Sequence, residues 1–347
     1  MSRKYKINLI WIGLAIFSIV LKVISSDYPQ FVETFYSRGL FLAIRWSIDY
    51  IIGWIPIPLI YLFFTVIIIW TFFTLRKIIK SESKWYKKIF ETIFSFVTFT
   101  SALIFFFFFL WGYNYNRIPI EQQLQLDAKP LTLDELREEL LWATEEVVEM
   151  RNKLSLYYSE NPYELELPEN TEKELRQSLE TWLDQNGYPT VGRVRGRWLY
   201  PKGIFLRFSS AGLYFPFTAE GHIDAGMHEL QHPATMAHEL GHGYGFGDEG
   251  TCNFLSLMAC HTTDNIFLKY SGYLDYWQTV AYNYRRYDRE GFVAIRNEKL
   301  SDACKKDLEA IGATLRKYPD LMPRVRNAAY NTYLKSQGIK EGILYCN

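Results

Sequence analysis

Three long apolar segments fill the first third of the chain and limit the folds that are open to it. They run over residues 7–24, 51–75 and 90–111. Each is close to the ~20 residues that an α-helix needs to cross a bilayer. A buried core helix is the alternative for any one of them, but three together predict a transmembrane region over residues 1–115. Pro56 and Pro58 predict that the straight part of the second span begins near Leu59.

The distribution of basic residues predicts the orientation of these spans. Basic side chains precede the first span and fill the loop between the second and the third: Arg3, Lys4, Lys6, Arg76, Lys77, Lys80, Lys84, Lys87 and Lys88. The loop over residues 25–50 has Arg38 and Arg45 as its basic residues, and three acidic residues offset them. By the positive-inside rule, the amino terminus and residues 76–88 are cytoplasmic, and the chain after the third span is non-cytoplasmic.

Two stretches border the spans on the non-cytoplasmic side. The aromatic residues Trp111, Tyr113 and Tyr115 predict an anchor in the interfacial region of the bilayer. Residues 28–48 are amphipathic, so they either lie along the outer surface of the membrane or form a short connecting helix. No small-residue cleavage site follows the first apolar segment cleanly, which argues against a cleaved signal peptide.

The most specific motif is the run His238-Glu239-Leu240-Gly241-His242, which reads H-E-x-x-H. On an α-helix the two histidines lie one turn apart on the same face, so both imidazoles can reach one tetrahedral ion. Glu239 is then placed to take a proton from an attacking water molecule. The pattern is typical of the zinc site of metallopeptidases, and it predicts Zn²⁺ as the cofactor.

A zinc site of this kind needs a third protein ligand, with the fourth position left open. Three alternating glycines in residues 243–247 should end the first helix and allow a sharp reversal before a second helix, from about Asp248 to Cys260. Asp248 completes a string that resembles the short metzincin pattern. Glu249 forms an E-x-x-x-N pair with Asn253, which resembles the gluzincin arrangement of a helical Glu ligand and a residue that orients a ligand. The sequence favours Glu249, and Asp248 is the alternative.

A second H-E-x-x-H string runs from His228 to His232, directly before Pro233. A residue before proline is pushed out of the α region, so His232 is a poor end for a two-histidine helical face. Pro233 fits better as the first-turn proline of a helix from Ala234 to Gly241. We therefore expect His228 and His232 in a loop near the cleft, and a second metal site there is the alternative.

Several helices are predicted in the segment that follows the spans. Thr132 and Glu135 form a capping-box pattern that opens a helix to about Leu154, and Thr171 and Glu174 repeat it for a helix to about Gln185. Further helical patterns cover residues 271–288, 301–316 and 323–336.

Residues 203–217 contain two apolar runs separated by a Ser-Ser-Ala-Gly turn, and this pattern predicts a β-hairpin. Pro216 cannot donate to a ladder, so the second strand is expected at an edge of the sheet. An edge beside a zinc site can accept an extended peptide as an added strand. A hairpin that only packs under the helices fits the same pattern.

Charge and cysteine content limit the partners, disulfides and metal sites that the sequence allows. The 38 basic and 38 acidic residues cancel, so no nucleic-acid partner is expected. All four cysteines follow the third span: Cys252, Cys260, Cys304 and Cys346. Cys252 and Cys260 are too far apart to form a disulfide if they share one straight helix. Spacing leaves a Cys304–Cys346 bridge open, and the absence of a C-x-x-C pair argues against a cysteine zinc site.

The chain resembles an uncharacterised bacterial membrane-protein family, mostly from the Bacteroidota, which is known only as a domain of unknown function with a zinc-peptidase-like HExxH segment. The residues that carry the resemblance include Tyr28-Pro29, residues 53–58, residues 111–115, residues 212–218, residues 238–242, Asn253-Phe254, Cys260 and residues 270–273. Members usually carry Glu-Asp-Glu-Ala-Asn-Phe after the motif, where this chain has Asp-Glu-Gly-Thr-Cys-Asn-Phe. Glu249 aligns with an acidic residue of that string both without a gap and with a shifted gap, whereas Asp248 need not. The departure leaves open whether a second acidic group belongs to the site.

The expected protein is a mainly α membrane protein, with three N-terminal transmembrane helices followed by an α+β zincin-like domain over residues 116–347 that contains a small β-hairpin or sheet. The resemblance implies the inner membrane of a bacterium, with this domain in the periplasm. The expected function is a zinc metallopeptidase acting on a peptide or protein substrate at the membrane surface. Its metal ligands are His238, His242 and Glu249, and its general base is Glu239.

Two further classes stay open beside a peptidase for soluble substrates. One is a zinc-binding sensor or structural domain without turnover, against which the intact Glu239 argues. The other is a peptidase that cuts lipid-proximal or lipidated substrates at the bilayer surface. For the group that stabilises the oxyanion, the candidates are Tyr270, His222 and His261.

Overall fold

The computed structural model describes residues 3–324 and residue 328. The N-terminal part consists of α1 (Arg3–Ser25), a helical segment made of α2 (Pro29–Phe31), a π-helix (Val32–Leu40) and α3 (Phe41–Ile52), then α4 (Leu59–Ile79) and α5 (Trp85–Leu110). Helices α1, α4 and α5 are long and apolar enough to cross a membrane. Their outward side chains are apolar, as with Ile68 and Phe96, which are 67% and 68% exposed. Such a surface suits hydrocarbon and not water, so this is a membrane protein.

The second span begins where the prolines predicted. Helix α4 starts at Leu59, directly after Pro58, whereas residues 51 and 52 belong to α3 and residues 53–58 form the turn between the two helices. Its last turn contains Arg76 and Lys77, where positive charge suits the end of a helix.

The C-terminal part is a helical domain with one small sheet. Its elements are α6 (Ile120–Gln123), α7 (Leu133–Leu154), α8 (Thr171–Gln185), β1 (Arg195–Leu199), β2 (Gly212–Phe215), β3 (Glu220–Asp224), α9 (His232–Gly243), α10 (Glu249–Thr262), α11 (Ile266–Tyr287), α12 (Arg289–Glu298) and α13 (Asp302–Leu315), with short 3₁₀ helices at Gly112–Asn116, Pro162–Glu164 and Leu206–Phe208. The predicted fold class, mainly helical with three N-terminal apolar helices and a small sheet, is confirmed.

The sheet has the order β1-β3-β2. Strand β3 pairs in parallel with β1 and antiparallel with β2, with Gly212 opposite Ile223. Helix α9 packs closely on this sheet. A Cβ atom at Gly221 would lie 2.7 Å from the Cβ of Glu239, so only glycine lets the helix approach this far.

The predicted hairpin over residues 203–217 is wrong in its first strand. The hairpin consists of β2 and β3, and the earlier apolar run curls into a loop with a 3₁₀ helix. The buried carboxylate of Asp224 accepts hydrogen bonds from the amides of Gly203, Phe205 and Leu206 at 2.7–3.1 Å, which gathers the loop around one acceptor. The edge position of the second predicted strand is confirmed, because β2 borders the sheet.

Helix boundaries follow the caps in most places. The capping box at Thr132 and Glu135 is present at the start of α7. The capping box predicted at Thr171 and Glu174 is absent. Thr171 is already the first residue of α8, and its hydroxyl donates to the Pro168 carbonyl at 2.6 Å. Helix α11 starts five residues before the predicted Ser271, because Asn265 caps its first turn.

A buried ion pair joins α7 to α13 in the core of the domain. Arg151 Nε lies 2.6 Å from Asp307 Oδ2, and both side chains are fully buried. The hydroxyl of Tyr270 on α11 donates to the same oxygen at 2.6 Å.

Three of the cysteines are buried and free: Cys252, Cys260 and Cys304. Cys346 and nearly all of the predicted helix over residues 323–336 lie outside the described residues.

The helical segment over residues 29–52 packs against the C-terminal domain. Glu33 forms an ion pair with Arg117 at 2.8 Å, and Asp49 forms one with Arg195 of β1 at 2.7 Å. Arg45 is buried and donates to the Gly243 carbonyl at the end of α9. Of the two alternatives for this amphipathic stretch, a connecting helix is therefore the closer description, and its polar groups bind the domain.

Candidate metal centre

Helix α9 presents two histidines on one face. Pro233 lies in its first turn, as predicted, where it has no amide that needs a partner. The Nε2 atoms of His238 and His242 approach each other to 3.1 Å. The i, i+4 spacing thus directs both imidazoles to one point.

A glycine turn brings a carboxylate to the same point. Gly245 has a φ of +86°, which reverses the chain between α9 and α10. Glu249 follows in the first turn of α10, with Oε2 at 3.1 Å from His238 Nε2 and Oε1 at 3.6 Å from His242 Nε2. Asp248 instead caps α10, accepting from the Thr251 amide at 2.7 Å. The geometry therefore groups Glu249, and not Asp248, with the two histidines.

The three side chains fit a zinc ion. Zinc bonds of 2.0–2.1 Å in a tetrahedron separate the donor atoms by about 3.3 Å. The observed separations of 3.1–3.6 Å are close to this value. Among the described residues, His238, His242 and Glu249 form a group of three side chains whose ligand atoms could share one metal ion. The assignment of the ligands and of the metal stays a prediction.

Each histidine has an acceptor on its other ring nitrogen. His238 Nδ1 lies 2.8 Å from Asn253 Oδ1, and His242 Nδ1 lies 2.8 Å from the Phe246 carbonyl oxygen. Such acceptors keep the proton on Nδ1 and leave the Nε2 lone pair for a metal, as in known zinc sites.

Glu239 lies on the sheet side of the histidines. Its carboxylate accepts from the backbone amide of Tyr214 in β2, and its Oε2 has no hydrogen-bond partner among the described residues. A Cβ atom at Gly212 would lie 2.5 Å from Glu239 Oε1, so glycine is required beside it. Burial raises the pKa of Glu239 to about 7, the range that suits a general base near neutral pH.

An open cleft of about 700 Å³ gives access to these groups. Its walls contain His238, Glu239, His242 and Glu249 together with Asn253, Thr235, Ser256, Asp275, residues 209–217 and the aromatic residues Phe107, Trp111 and Tyr115. Strand β2 forms one side as a sheet edge. The Ala211 carbonyl accepts from Asp224 within the sheet, so the backbone groups of Gly212 and Tyr214 face outwards. Asp275 is a third carboxylate along the cleft, beside those of Glu239 and Glu249.

The predicted oxyanion candidates lie elsewhere. Tyr270 donates to Asp307 in the core, His261 contacts the Tyr273 hydroxyl at 2.8 Å, and His222 is fully buried in β3. None of the three lines the cleft.

The two histidines of the second H-E-x-x-H string do not line the cleft either. His228 lies in a loop, as predicted, but His232 is the first residue of α9, because Pro233 tolerates a helical residue before it only at the start of the helix. His232 contacts Glu229 and the Asp224 carbonyl.

Two residues at the site were missed by sequence reasoning. The Trp111 indole donates to the His242 carbonyl at 2.8 Å, and Arg45 Nη1 donates to the Gly243 carbonyl at 3.3 Å. The indole adds a second donor to the His242 carbonyl, which also accepts from the Gly245 amide at 3.0 Å, and Arg45 supplies a donor to the last carbonyl of α9. Trp111 is buried, so the prediction that it anchors the chain at the bilayer interface is wrong. No local sequence signal identifies these contacts, since both residues lie more than a hundred positions before the motif.

Fold and site together define a membrane protein with a helical domain, in which a candidate metal centre lies in an open cleft. A family model described as "Protein of unknown function (DUF3810)" matches residues 36–345, and the chain belongs to this family. The predicted membership of an uncharacterised family is thereby confirmed. No curated protein and no solved structure matches the chain.

Proposed function

We propose that this protein is a membrane-anchored zinc metallopeptidase. The observation that carries the proposal is the convergence of His238, His242 and Glu249 at tetrahedral donor distances, with Glu239 beside them in the same cleft. We further propose that the protein resides in the inner membrane of a bacterium, with its amino terminus cytoplasmic and residues 116–347 periplasmic, on the basis of the basic residues in the loops.

The residues of the cleft have separate roles in hydrolysis. His238, His242 and Glu249 would hold zinc, which polarises a scissile carbonyl and acidifies water when it is bound. Glu239 takes the proton of the attacking water and delivers it to the leaving amine, a role supported by its raised pKa. The outward backbone groups of Gly212 align an extended peptide along β2.

The competing function is a zinc-binding sensor or structural domain without turnover. A structural zinc site is closed by a fourth protein ligand. Here three ligating side chains group together among the described residues, and Glu239 is kept next to them in a cleft large enough for a peptide. These features favour hydrolysis.

The test is the variant Glu239→Gln in the full-length protein, with an unstructured polypeptide such as denatured casein as the first probe. The variant should bind zinc as the wild type does and lose peptide hydrolysis by a factor of about 10²–10⁴, because only proton transfer is removed. Equal hydrolysis by both proteins at equal zinc content would refute the assignment of Glu239.

A further inference from the structure

The cleft of the candidate metal centre is built partly from the end of one membrane-spanning helix, and a second such helix packs against its edge strand. Phe107 belongs to the last turn of α5, about 5 Å from the end of the helix at a rise of 1.5 Å per residue, and it lines the cleft. Trp111 follows it, with its ring 5.7 Å from the ring of Tyr214 in β2 and 6.0 Å from that of His242. One wall of the cleft is therefore continuous with a span.

The edge strand is attached to another span at its far end. The ring of Phe215, the last residue of β2, lies 5.0 Å from Phe63, and that of Phe217 lies 5.1 Å from the same residue. Phe63 is four residues inside α4, about 6 Å from its start. The start of α4 is also fixed to the sheet, because the Leu59 amide donates to the buried Glu220 at 2.8 Å.

These contacts limit the distance between the catalytic group and the bilayer. Gly212 lies against Glu239, and Phe215 lies against α4. Three residue steps separate them, or about 10 Å of extended strand. A peptide paired with β2 therefore has one end beside the first two turns of α4.

We propose, on the basis of the proposed peptidase function, that the substrate is a polypeptide anchored in the same membrane by an apolar span. It is cut within about the first ten residues outside the bilayer, since about three extended residues cover the ~10 Å along β2 to Glu239 and a few more connect the anchor to the strand. Its anchor holds the segment at the mouth of the cleft, and the wall formed by Phe107, Phe215 and Phe217 accepts apolar side chains that emerge from the bilayer.

The experiment uses the full-length protein in phosphatidylcholine–phosphatidylglycerol vesicles with three probes that share one unstructured reporter segment. The first attaches the segment directly to a Leu/Ala helix of about 20 residues. The second inserts a Gly/Ser spacer of about 20 residues between helix and segment. The third lacks the helix. Mass spectrometry locates the cuts.

We expect the directly anchored probe to be cleaved about tenfold or more faster than the free segment, because the anchor raises the local concentration. The cuts should lie at a fixed distance from the bilayer, so that the spacer displaces them to different peptide bonds or abolishes them. Cleavage of the same bonds at the same rate in all three probes would overturn the inference and leave the peptidase assignment intact.

A binding measurement separates the inference from turnover. Benzoylphenylalanine replaces Leu213, which is 45% exposed and lines the cleft, in the Glu239→Gln background. The control position is Tyr157, which is 77% exposed and does not line the cleft. Capture of the anchored probe over the free segment by about tenfold at Leu213, and not at Tyr157, supports the inference even if hydrolysis is never observed. Equal capture of both probes contradicts it.

Discussion

At the scale of single residues, the H-E-x-x-H spacing carries more information than any other feature of the sequence. It predicted that His238 and His242 share a face, and the pairing of Glu249 with Asn253 predicted an orienting contact, which lies between Asn253 and His238. The glycines beside Glu239 show what a local sequence pattern cannot predict. That Gly212 and Gly221 admit Glu239 depends on how closely α9 packs on the sheet, and this distance is not encoded in any local pattern.

A buried histidine outside the metal centre predicts a pH dependence of stability. Neither ring nitrogen of His222 has a hydrogen-bond partner among the described residues. Glu220 lies 3.9 Å away, but it already accepts from Leu59 and pairs with Arg197, so it does not hold a proton on His222. Burial, together with the positive charge of Arg197, lowers the pKa of His222 to about 4.

Because the folded state keeps His222 neutral, the unfolded chain binds a proton at a higher pH than the folded one. This penalty is absent above the unfolded pKa and grows as the pH falls from about 6.5 to about 4, up to about 3 kcal/mol. Urea unfolding of the detergent-solubilised proteins measures this effect. The free energy of unfolding of His222→Leu, relative to that of the wild type, should rise by about 3 kcal/mol from pH 7 to pH 4. Parallel pH profiles of the two proteins would show that His222 is protonated or solvated in the folded state.

At the scale of elements, caps predicted most helix ends and side-chain contacts decided the remainder. Thr132 opened α7 as its pattern required, whereas Pro168 drew the hydroxyl of Thr171 away from the equivalent role. The run over residues 204–208 has the composition of a strand, yet its amides bind Asp224, a residue 16 or more positions later. Local propensity cannot anticipate a partner of that kind.

The end of α9 is stabilised by a residue of another element, which leads to a prediction for Trp111. Replacing it with Phe removes one of two donors to the buried His242 carbonyl, which keeps the Gly245 amide at 3.0 Å, so the expected cost is about 0.5–1.5 kcal/mol in unfolding free energy. The same change should weaken zinc binding, since the carbonyl belongs to a ligand residue. Denaturant unfolding and chelator competition measure the two effects.

The matched control is Trp142→Phe, because this side chain is 44% exposed and its ring packs at the surface of the domain against Tyr276. A loss of only about 0.5 kcal/mol is expected there. If both variants lose stability equally and both keep the zinc affinity of the wild type, the contact between Trp111 and His242 does not support the metal centre.

At the scale of the whole molecule, the membrane region and the C-terminal domain share one structure around the candidate site. Hydropathy predicted the three spans, and the amphipathic pattern of residues 28–48 predicted a segment with one apolar face, along the outer membrane surface or as a connecting helix. The pattern could not say what covers that face. The answer lies in long-range polar contacts, in which Glu33 binds Arg117 and Arg45 binds the end of α9.

This arrangement predicts the behaviour of the isolated domain. A fragment over residues 116–347 lacks Trp111 and Arg45, so the His242 carbonyl loses one of its donors, the Gly243 carbonyl loses the Arg45 guanidinium, and Arg117 loses the buried Glu33. We expect the soluble fragment to bind zinc at least about tenfold more weakly than the full-length protein. A fragment that folds by circular dichroism and binds zinc with the affinity of the full-length protein would contradict the structural role given to the membrane region.

The central claim is that His238, His242 and Glu249 hold one zinc ion, and elemental analysis tests it most directly. Full-length wild type, His242→Ala and Glu239→Gln are purified without chelators and measured for zinc per folded chain. The account predicts close to one zinc in the wild type and in Glu239→Gln, and almost none in His242→Ala, because two ligands of three do not retain the ion. A folded wild-type protein without zinc, or equal zinc in His242→Ala, would contradict it.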